Sequence, residues 1–498
     1  MEQNDVMTVH VQETYLVIFK KLNPKENTTQ KCLISELSER SFSSVKLFDL
    51  NLHELQSLHS RNLFVNYKNL ETIQFTRNNF KIDKIIISLL QNNTNPLKYF
   101  YFNDKDTEQL PSGLLLNLTN LVTVDLQGNN LKNIPPDLFI NNINLAYLIL
   151  MNNSLTNLDL GIFKNCKNLI YINFAQNKFI NFYPEYFILK ISQLFNQTIY
   201  NETIYNNLFS NDINYSLLPS NLTHDNLLSY LNYDNIKKVK YLTMLAKQNY
   251  SQSKLYEFLF QQVIQLVIID LTLNELEHID IDWFVIFKNL EIIMLSSNNF
   301  TLESIPSGLF KNNKMLIQFY LQNNKQSLKT LPSGLFSNLT NLKKVYLSGN
   351  NLEYLPHELF LDNKNLIEIY LDKNLLTSLH LHIFKNCIMS MKMNFSYNRI
   401  VNIYQGYFIT PDNWTTSSNE VFADLKNLEE LNLVNNNLQT IENCQMDNLK
   451  TLRVAQFSYN NLTIKNDLKN GDKIKSPFRN WYSIKKLSLD NNRISDFW

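Results

Sequence analysis

Few side chains in this sequence have the types and spacing that catalysis requires. The 498 residues include 8 glycines, and they form neither a GxxxxGK nor a GxGxxG phosphate-binding motif. There is no HExxH zinc motif, and His380 and His382 fall in a turn, where exposed polar residues are common. The carboxylates are scattered rather than paired. We therefore expect no enzyme activity, no metal and no cofactor.

Tyrosines and charges recur at spacings that suit recognition of a partner. Tyr320, Tyr346 and Tyr370 are separated by 26 and 24 residues, and charged side chains lie beside them. Aromatic side chains within a mixed polar rim are typical of protein-binding hot spots. The alternative is that tyrosine simply suits an exposed strand. The candidate partner-binding residues are Tyr320, Tyr346, Tyr370, Tyr397, Lys343, Lys344, Glu368 and Asp372.

A repeat of 24 to 27 residues in most copies positions these side chains. Its pattern is Leu-x-x-Leu-x-Leu-x-x-Asn-x-Leu, with other apolar residues at some Leu positions. The alternation predicts a short strand with one buried face. The second, third, fifth, seventh and eighth positions are expected to face solvent. The fifteen copies begin at Val45, Leu70, Leu97, Leu121, Leu145, Leu169, Leu266, Leu290, Leu316, Leu342, Leu366, Ser390, Leu428, Leu452 and Ile484.

The ninth position of the repeat is Asn in thirteen copies, with His53 and Lys105 as exceptions. Where the chain turns away from a buried strand, its backbone groups lose water and need other partners. An Asn amide offers two donors and an acceptor, so it is able to bond its own turn and the neighbouring coil. We expect a structural ladder of Asn78, Asn129, Asn153, Asn177, Asn274, Asn298, Asn324, Asn350, Asn374, Asn398, Asn436, Asn460 and Asn492.

Phenylalanine forms a second periodic series, usually six residues before the next first position. Such aromatic side chains would fill the convex half of each coil. The four cysteines, Cys32, Cys166, Cys387 and Cys444, show no CxxC pattern, and free buried thiols are expected at Cys166 and Cys387. The phenylalanine series is Phe64, Phe139, Phe163, Phe284, Phe310, Phe336, Phe360, Phe384 and Phe422.

The repeat string, as in Leu342 to Leu366, resembles the typical, extracellular-type leucine-rich repeat family. That family includes Toll-like receptor ectodomains, Slit-like proteins and small leucine-rich proteoglycans. The resemblance implies an α/β fold with few helices: a curved horseshoe solenoid with a parallel concave β-sheet and an irregular convex side. It also implies partner binding on the concave face, and no catalytic residues.

The repeats divide into blocks, because LPSGLLLNLTNL at Leu110 recurs as LPSGLFSNLTNL at Leu331. We predict an N-terminal flank or degenerate cap at 1–44, block one at 45–188 and an insertion at 189–265. Block two then covers 266–408, a short interruption 409–427, and an incomplete, uncapped block three 428–498. The insertion reads either as loops with helices or as decayed repeats. The unfinished last repeat favours a fragment of a longer protein.

Features of the sequence favour two different cellular locations. The repeat type favours a secreted or cell-surface recognition protein that binds a protein. The acidic N-terminus without a signal peptide, the sparse cysteines and the absence of an apolar run of about 18 residues favour a cytoplasmic scaffold or adaptor. A net charge of +1 gives no bulk attraction to nucleic acid.

Asparagine is abundant throughout, with 75 copies. Fourteen of them begin an Asn-x-Ser/Thr glycosylation signal, or sequon, against about nine expected by chance from the composition. The excess is too small to establish a glycoprotein from the number alone. The predicted insertion holds five of these signals and is the segment where we expect glycans first.

Overall fold

The computed structural model describes the backbone of residues 8–12, 15–19 and 47–51. It also describes residues 69–76, 90, 96–182, 265–403 and 421–494, apart from short gaps. The chain divides into two compact units, residues 1–182 with 262–498 and residues 183–261. The second unit, and with it most of the predicted insertion, lies outside the described residues. So do Asn78, Phe64, Cys32 and Cys444.

One long sheet organises the first unit. Its first two strands, β1 (Thr8–Gln12) and β2 (Tyr15–Phe19), pair antiparallel, and every later pairing in the described residues is parallel. The parallel strands in the first half are β3 (Leu47–Asn51), β4 (Thr72–Thr76), β5 (Tyr99–Asn103), β6 (Thr123–Asp125), β7 (Tyr147–Ile149) and β8 (Tyr171–Asn173). A 3-10 helix, η1, covers Leu160–Phe163 between the last two.

The sheet continues in the second half of the chain. Two further strands, β9 (Asn181–Phe182) and β11 (His278–Ile279), pair with each other beside it. The remaining strands of the long sheet are β10 (Ile268–Asp270), β12 (Ile292–Met294), β13 (Gln318–Tyr320), β14 (Lys344–Tyr346), β15 (Glu368–Tyr370), β16 (Lys392–Asn394), β17 (Glu430–Asn432), β18 (Val454–Gln456) and β19 (Lys486–Ser488).

Each parallel strand of this sheet begins two residues after a predicted first position, from Leu47 after Val45 to Lys486 after Ile484. The third and fifth positions of a strand are half-buried on the concave face, and the fourth points inward, as in Lys344, Val345 and Tyr346. The parallel solenoid with little helix predicted from the sequence is confirmed.

The long sheet passes directly from the first block to the second. β8 pairs with β10, with Tyr171 opposite Ile268 and Asn173 opposite Asp270. The Phe174 amide donates to the Asp270 carbonyl at 2.7 Å, as in any other pair of neighbouring coils. The sheet therefore has no place between β8 and β10 for the strand of a further repeat, although 83 residues of chain separate Phe182 from Leu266.

The core is built from the apolar positions of every coil. Leu342, Val345 and Leu347 are fully buried, as are their counterparts along the solenoid. On the convex side the phenylalanine rings stack in series, and the Phe336 and Phe360 centroids are 5.8 Å apart with planes at 8°. Burying one such side chain contributes about 1.5–3 kcal/mol. Cys166 and Cys387 are buried and free, as predicted.

A left-handed turn follows the strand in twelve of the described coils, and the sequence did not indicate it. Twelve described residues at the eighth position have φ between 54° and 71°, although only Gly128 and Gly349 among them are glycines. A Cβ added at Gly128 would lie 2.7 Å from the Asn103 amide nitrogen. The twelve are Gly128, Asn152, Gln176, Leu273, Ser297, Asn323, Gly349, Lys373, Tyr397, Asn435, Tyr459 and Asn491.

Candidate recognition surface

Three tyrosines form a stack on the concave face. The parallel register places Tyr320 opposite Tyr346 and Tyr346 opposite Tyr370. Their ring centroids are 4.4 and 4.9 Å apart, and both pairs of planes meet at 6°. We call Tyr320, Tyr346 and Tyr370 the tyrosine ladder. Since each ring covers the face of its neighbour, the ladder presents ring edges and hydroxyl groups to solvent.

The hydroxyl groups of the tyrosine ladder are held by neighbouring polar side chains. Tyr320 donates to Gln318 Oε1 at 2.6 Å, and Tyr346 donates to Glu368 Oε2 at 3.3 Å. Tyr370 lies 3.5 Å from the same Glu368 oxygen. Burial raises the pKa of Tyr346, and the negative charge of Glu368 raises it further. Tyr346 is therefore a neutral donor, and the hydrogen bonds hold the tyrosine hydroxyl groups in fixed orientations.

Charges beside the ladder are paired across the strands. Lys344 Nζ lies 3.1 Å from Glu368 Oε1, and Lys392 Nζ lies 2.9 Å from Glu430 Oε1. These partly exposed pairs add little stability, because solvent screens them and ordering two side chains costs entropy. Their effect on the surface is to cancel charge locally. The concave face next to the ladder is polar but close to neutral.

The other predicted site residues lie around the ladder. Asp372 is at the seventh position, where its Oδ1 accepts a hydrogen bond from the Ser348 hydroxyl at 2.7 Å. Lys343 is exposed at the second position, at the edge of the concave face. Tyr397 is 52% exposed in the left-handed turn after β16 and makes no ring contact with another described residue. The predicted patch is thus a ladder with a rim, and Tyr397 lies apart from the stack.

Tyrosines in the first block are arranged differently. Tyr147 and Tyr171 face each other across β7 and β8, but their centroids are 6.4 Å apart and their planes meet at 48°. Tyr101 lies opposite Asp125 of the next strand, and burial raises the pKa of Asp125. Only in the second block do three tyrosines occupy the fifth position in successive described strands.

In five other strands, the side chain at the fifth position bonds to the backbone. The side-chain oxygens of Asp125 and Asp270 accept the amide hydrogen two residues ahead, at 2.9 Å in both cases. Asn173, Asn394 and Asn432 do the same at 2.8 to 3.1 Å. Such Asx turns end the strand by satisfying the second amide beyond it. The tyrosines at this position do not support the backbone in this way.

The predicted asparagine ladder lies buried behind the concave face. Asn374 Nδ2 donates to the Leu347 carbonyl of the preceding coil at 2.9 Å and to Leu371 of its own turn at 3.0 Å. Its Oδ1 accepts the amides of Asn350 and Leu352 at 2.9 and 3.0 Å. Eleven of the twelve predicted members in the described residues donate to a carbonyl of the preceding coil, and Asn324 instead donates to Asn350 Oδ1 at 3.1 Å.

The sequence of this chain matches models of a known protein family. Residues 202–332, 301–409 and 394–493 match the family model described as BspA type leucine rich repeat region, so the matches span more than half of the chain. The chain belongs to the leucine-rich repeat family. Residues 143–189 match a second leucine-rich repeat model. A search of curated protein sequences finds no match to this chain.

Solved structures share the fold of this leucine-rich repeat protein. The Drosophila Toll–Spatzle complex aligns at a TM-score of 0.69 and 20% identity, over 97% of this chain and 55% of that chain. The TLR13–ssRNA13 complex aligns at 0.52 and 19% identity, over 91% and 58%. The LRIM1/APL1C complex aligns at 0.53 and 16% identity, over 90% and 61%. The chain spans about half the length of the Toll chain that it matches.

Further asparagines tie the coils of the repeat protein together on its convex side. Asn142, Asn313 and Asn363, three residues before the next first position, are fully buried and donate to two carbonyls of the preceding coil at 2.8 to 3.3 Å. Cys166 and Cys387 occupy the same position in other coils. An Asn three residues before the next first position recurs in the sequence and could have predicted this series. The prediction considered only the ninth position.

An exposed series of asparagines adds to these ties. One residue before the next first position, Asn144, Asn365 and Asn427 donate to a carbonyl of the preceding coil at 3.3, 2.8 and 2.8 Å. Asn341 at the same position donates to the Lys314 carbonyl at 2.9 Å. Much of the asparagine surplus therefore connects neighbouring coils of this leucine-rich repeat protein.

Titratable clusters elsewhere are sparse in the described ranges. His357 and His380 have ring centroids 5.0 Å apart, and His382 lies 6.0 Å from His380. Burial and the two neighbouring histidines lower the pKa of His380. Within the described residues, no three His, Cys, Asp or Glu side chains are arranged to hold a metal ion. Nor does this part of the chain contain a helix with the length and apolar character needed to cross a membrane.

Proposed function

We propose that this leucine-rich repeat protein binds a protein partner on its concave face, with the tyrosine ladder at the centre of the interface. The observation that carries the proposal is the coplanar stack of Tyr320, Tyr346 and Tyr370, at 6° in both pairs. Tyrosines ordered in the free protein lose little conformational entropy when a partner binds. A strand-forming preference alone does not require such parallel stacking, as Tyr147 and Tyr171 illustrate.

The chemistry of the surface favours a protein over nucleic acid. Base-stacking sites present aromatic faces, whereas the faces inside the ladder are covered by neighbouring rings. Phosphate binding requires unpaired cations, but Lys344 and Lys392 are each paired with a glutamate. Ring edges, hydroxyl groups and a nearly neutral polar rim suit the backbone and side chains of a folded partner.

The proposed location is extracellular or on the cell surface. The repeat type supports it, as does the fold shared with the Toll chain of the Toll–Spatzle complex. A cytoplasmic scaffold would use the same concave surface, so the mode of binding does not depend on this choice. Protease treatment of intact cells that make the protein distinguishes the two, since only an external chain is cleaved.

The test of the binding mode compares a tyrosine of the ladder with an exposed tyrosine outside the concave strands. The partner captured by the full chain is identified by mass spectrometry and purified, and its affinity is measured for the wild type, Tyr346→Ala and Tyr354→Ala. Tyr354 is 54% exposed and lies outside the concave strands, so it controls for loss of an exposed aromatic ring. We expect Tyr346→Ala to weaken binding at least about tenfold, or about 1.4 kcal/mol, and Tyr354→Ala to leave it unchanged. Equal affinity of Tyr346→Ala and the wild type would remove the ladder from the interface.

A further inference from the structure

Asparagines at one position of the coil differ in whether their side-chain amide bonds to the preceding coil. Asn141, Asn165, Asn338 and Asn386 each stand four residues before the next first position. Asn141, Asn165 and Asn386 donate from Nδ2 to a carbonyl of the preceding coil, at 2.9, 2.7 and 2.7 Å. None of these three begins an Asn-x-Ser/Thr sequon. Their amide nitrogens are used to hold neighbouring coils together.

Asn338 departs from that arrangement. Its backbone is left-handed, with φ at 61°, and its main-chain amide donates to Asp362 Oδ2 at 2.9 Å. Its side chain is exposed, and its side-chain amide makes no hydrogen bond with another described residue. Leu339 and the exposed Thr340 follow it, completing the sequon Asn-Leu-Thr. The amide of Asn338 is therefore free in a member of the series that has the glycosylation signal. Asn117, four residues before Leu121, has the same Asn-Leu-Thr signal, but it is not among the left-handed residues.

We propose that Asn338 is an N-linked glycosylation site, an inference that rests on the extracellular location within the proposed function. A bond forms between Asn338 Nδ2 and C1 of a sugar, and the nitrogen loses one proton. The bond from that C1 to a lipid pyrophosphate donor breaks, and the lipid pyrophosphate leaves with the bonding electrons. The folded chain keeps all the inter-coil bonds of this position, because Asn338 contributes none from its side chain.

Two other sequons in the described segments, those of Asn394 and Asn152, meet these conditions less well. Asn394 lies in β16, where its Oδ1 already accepts both the amide and the hydroxyl of Ser396. In the sequon of Asn152, the Ser154 hydroxyl donates to Asn130 Oδ1 at 2.7 Å. A glycan on Asn394 would also stand on the concave face. Asn338 lies before β14, outside the sheet, so that a glycan there is compatible with binding at the tyrosine ladder.

The test uses the full chain purified from cells that make it. Glycans are removed with a peptide amidase in ¹⁸O-water, which converts a glycosylated Asn to ¹⁸O-labelled Asp. Tryptic cleavage gives the peptide from Thr330 to Lys343, which contains both Asn338 and Asn341. Asn341 is not in a sequon and donates to Lys314, so it reports spontaneous deamidation. We expect the label at Asn338 and none at Asn341.

Two further results separate this inference from the proposed function. In cells that secrete the chain, Thr340→Ala retains Asn338 but removes the sequon, and we expect the loss of one glycan with an unchanged Tm. An unlabelled Asn338 in a chain labelled at other sequons overturns the inference and leaves the extracellular location standing. A chain with no label at any sequon overturns both the glycan and that location. The tyrosine ladder is still tested independently by Tyr346→Ala.

Discussion

A single asparagine at the ninth position makes more bonds than any other side chain of the coil. Asn374 satisfies two carbonyls and two amides, and it connects its own coil to the preceding one. The sequence predicted this role because one residue type recurs at one position. It did not predict the buried series of Asn142, Asn313 and Asn363, because Cys, Leu and Phe replace Asn there in other coils. An interrupted series shows no clear period.

Truncation of Asn374 tests the hydrogen bonds of the asparagine ladder. Asn374→Ala leaves buried donors and acceptors of the backbone unpaired, and we expect a loss of about 2–4 kcal/mol in the free energy of unfolding. Asn365→Ala removes one exposed bond to the Thr340 carbonyl and serves as the matched control, with an expected loss below about 1 kcal/mol. The denaturant midpoints of both variants measure the difference. Similar midpoints would contradict a special role for the buried series.

The two buried thiols predict a dependence on pH. Burial raises the pKa of Cys166 and of Cys387 to about 12, from an ordinary value of 9.0. The buried thiol form stabilises the fold fully below pH 9, and this stability is lost as the pH rises toward 12, because the unfolded chain ionises first. We expect a Cys166→Ala, Cys387→Ala chain to show a smaller fall in Tm between pH 8 and pH 10 than the wild type does.

Thiol labelling provides the second measurement of the same burial. In a Cys32→Ser, Cys444→Ser background, we expect Cys166 and Cys387 to react with an aromatic disulfide reagent only after denaturant is added. The reactive species is the thiolate, which a raised pKa makes scarce at pH 8. Rapid labelling of the folded chain would show that one of these sites opens.

At the scale of the element, twelve coils combine a three-residue strand of the long sheet with a left-handed turn. The strands were predictable, since alternation of apolar and polar residues specifies which face is buried. The turn was not, because its residues range from glycine to leucine and tyrosine at one backbone conformation. Here the asparagine ladder and the neighbouring coil impose the left-handed conformation, although several of these residues disfavour it. The stacking of the tyrosine ladder was equally hidden, because side-chain angles follow from packing rather than spacing.

The left-handed turn predicts where stability is easily gained. Leu273 has φ at 56° and is 46% exposed, and a branched apolar side chain is unfavourable in this conformation. We expect Leu273→Asn to stabilise the fold by about 0.5–1 kcal/mol, because Asn tolerates positive φ. Leu361→Asn is the control, since Leu361 is 48% exposed and absent from the left-handed positions. A gain of equal size at Leu361 would show that replacing an exposed leucine with a polar residue is enough, whatever the backbone conformation. Differential scanning calorimetry measures both.

At the scale of the molecule, the long sheet is continuous across a large gap in the sequence. β8 and β10 pair as directly as strands of adjacent repeats, and Asn274 Nδ2 donates to the Phe174 carbonyl at 3.0 Å. The sequence predicted that two blocks flank an insertion, because the repeat stops and resumes. Its period did not reveal that the last coil of one block and the first coil of the other are neighbours.

This continuity predicts that the solenoid folds without the intervening segment. We expect a chain in which residues 183–265 are replaced by a copy of residues 159–168, the corresponding part of the preceding coil, to remain folded. Its Tm should lie within a few degrees of the wild type, because the β8–β10 pairing and the asparagine bonds are retained. Aggregation of this chain would show that the solenoid requires the segment. Thermal unfolding followed by circular dichroism provides the measurement.

The bonding pattern of the asparagine ladder also bears on how such a chain evolves. Each member bonds within its own turn and to a coil beside it, so a new coil brings its own donors for the carbonyls that it buries. Unequal recombination between repeats can therefore add or remove whole coils without leaving a buried amide unmatched. From the similarity of LPSGLLLNLTNL and LPSGLFSNLTNL we infer that a block of coils was duplicated. Selection is then able to adjust the length of the concave face in steps of one strand, about 4.8 Å at a time.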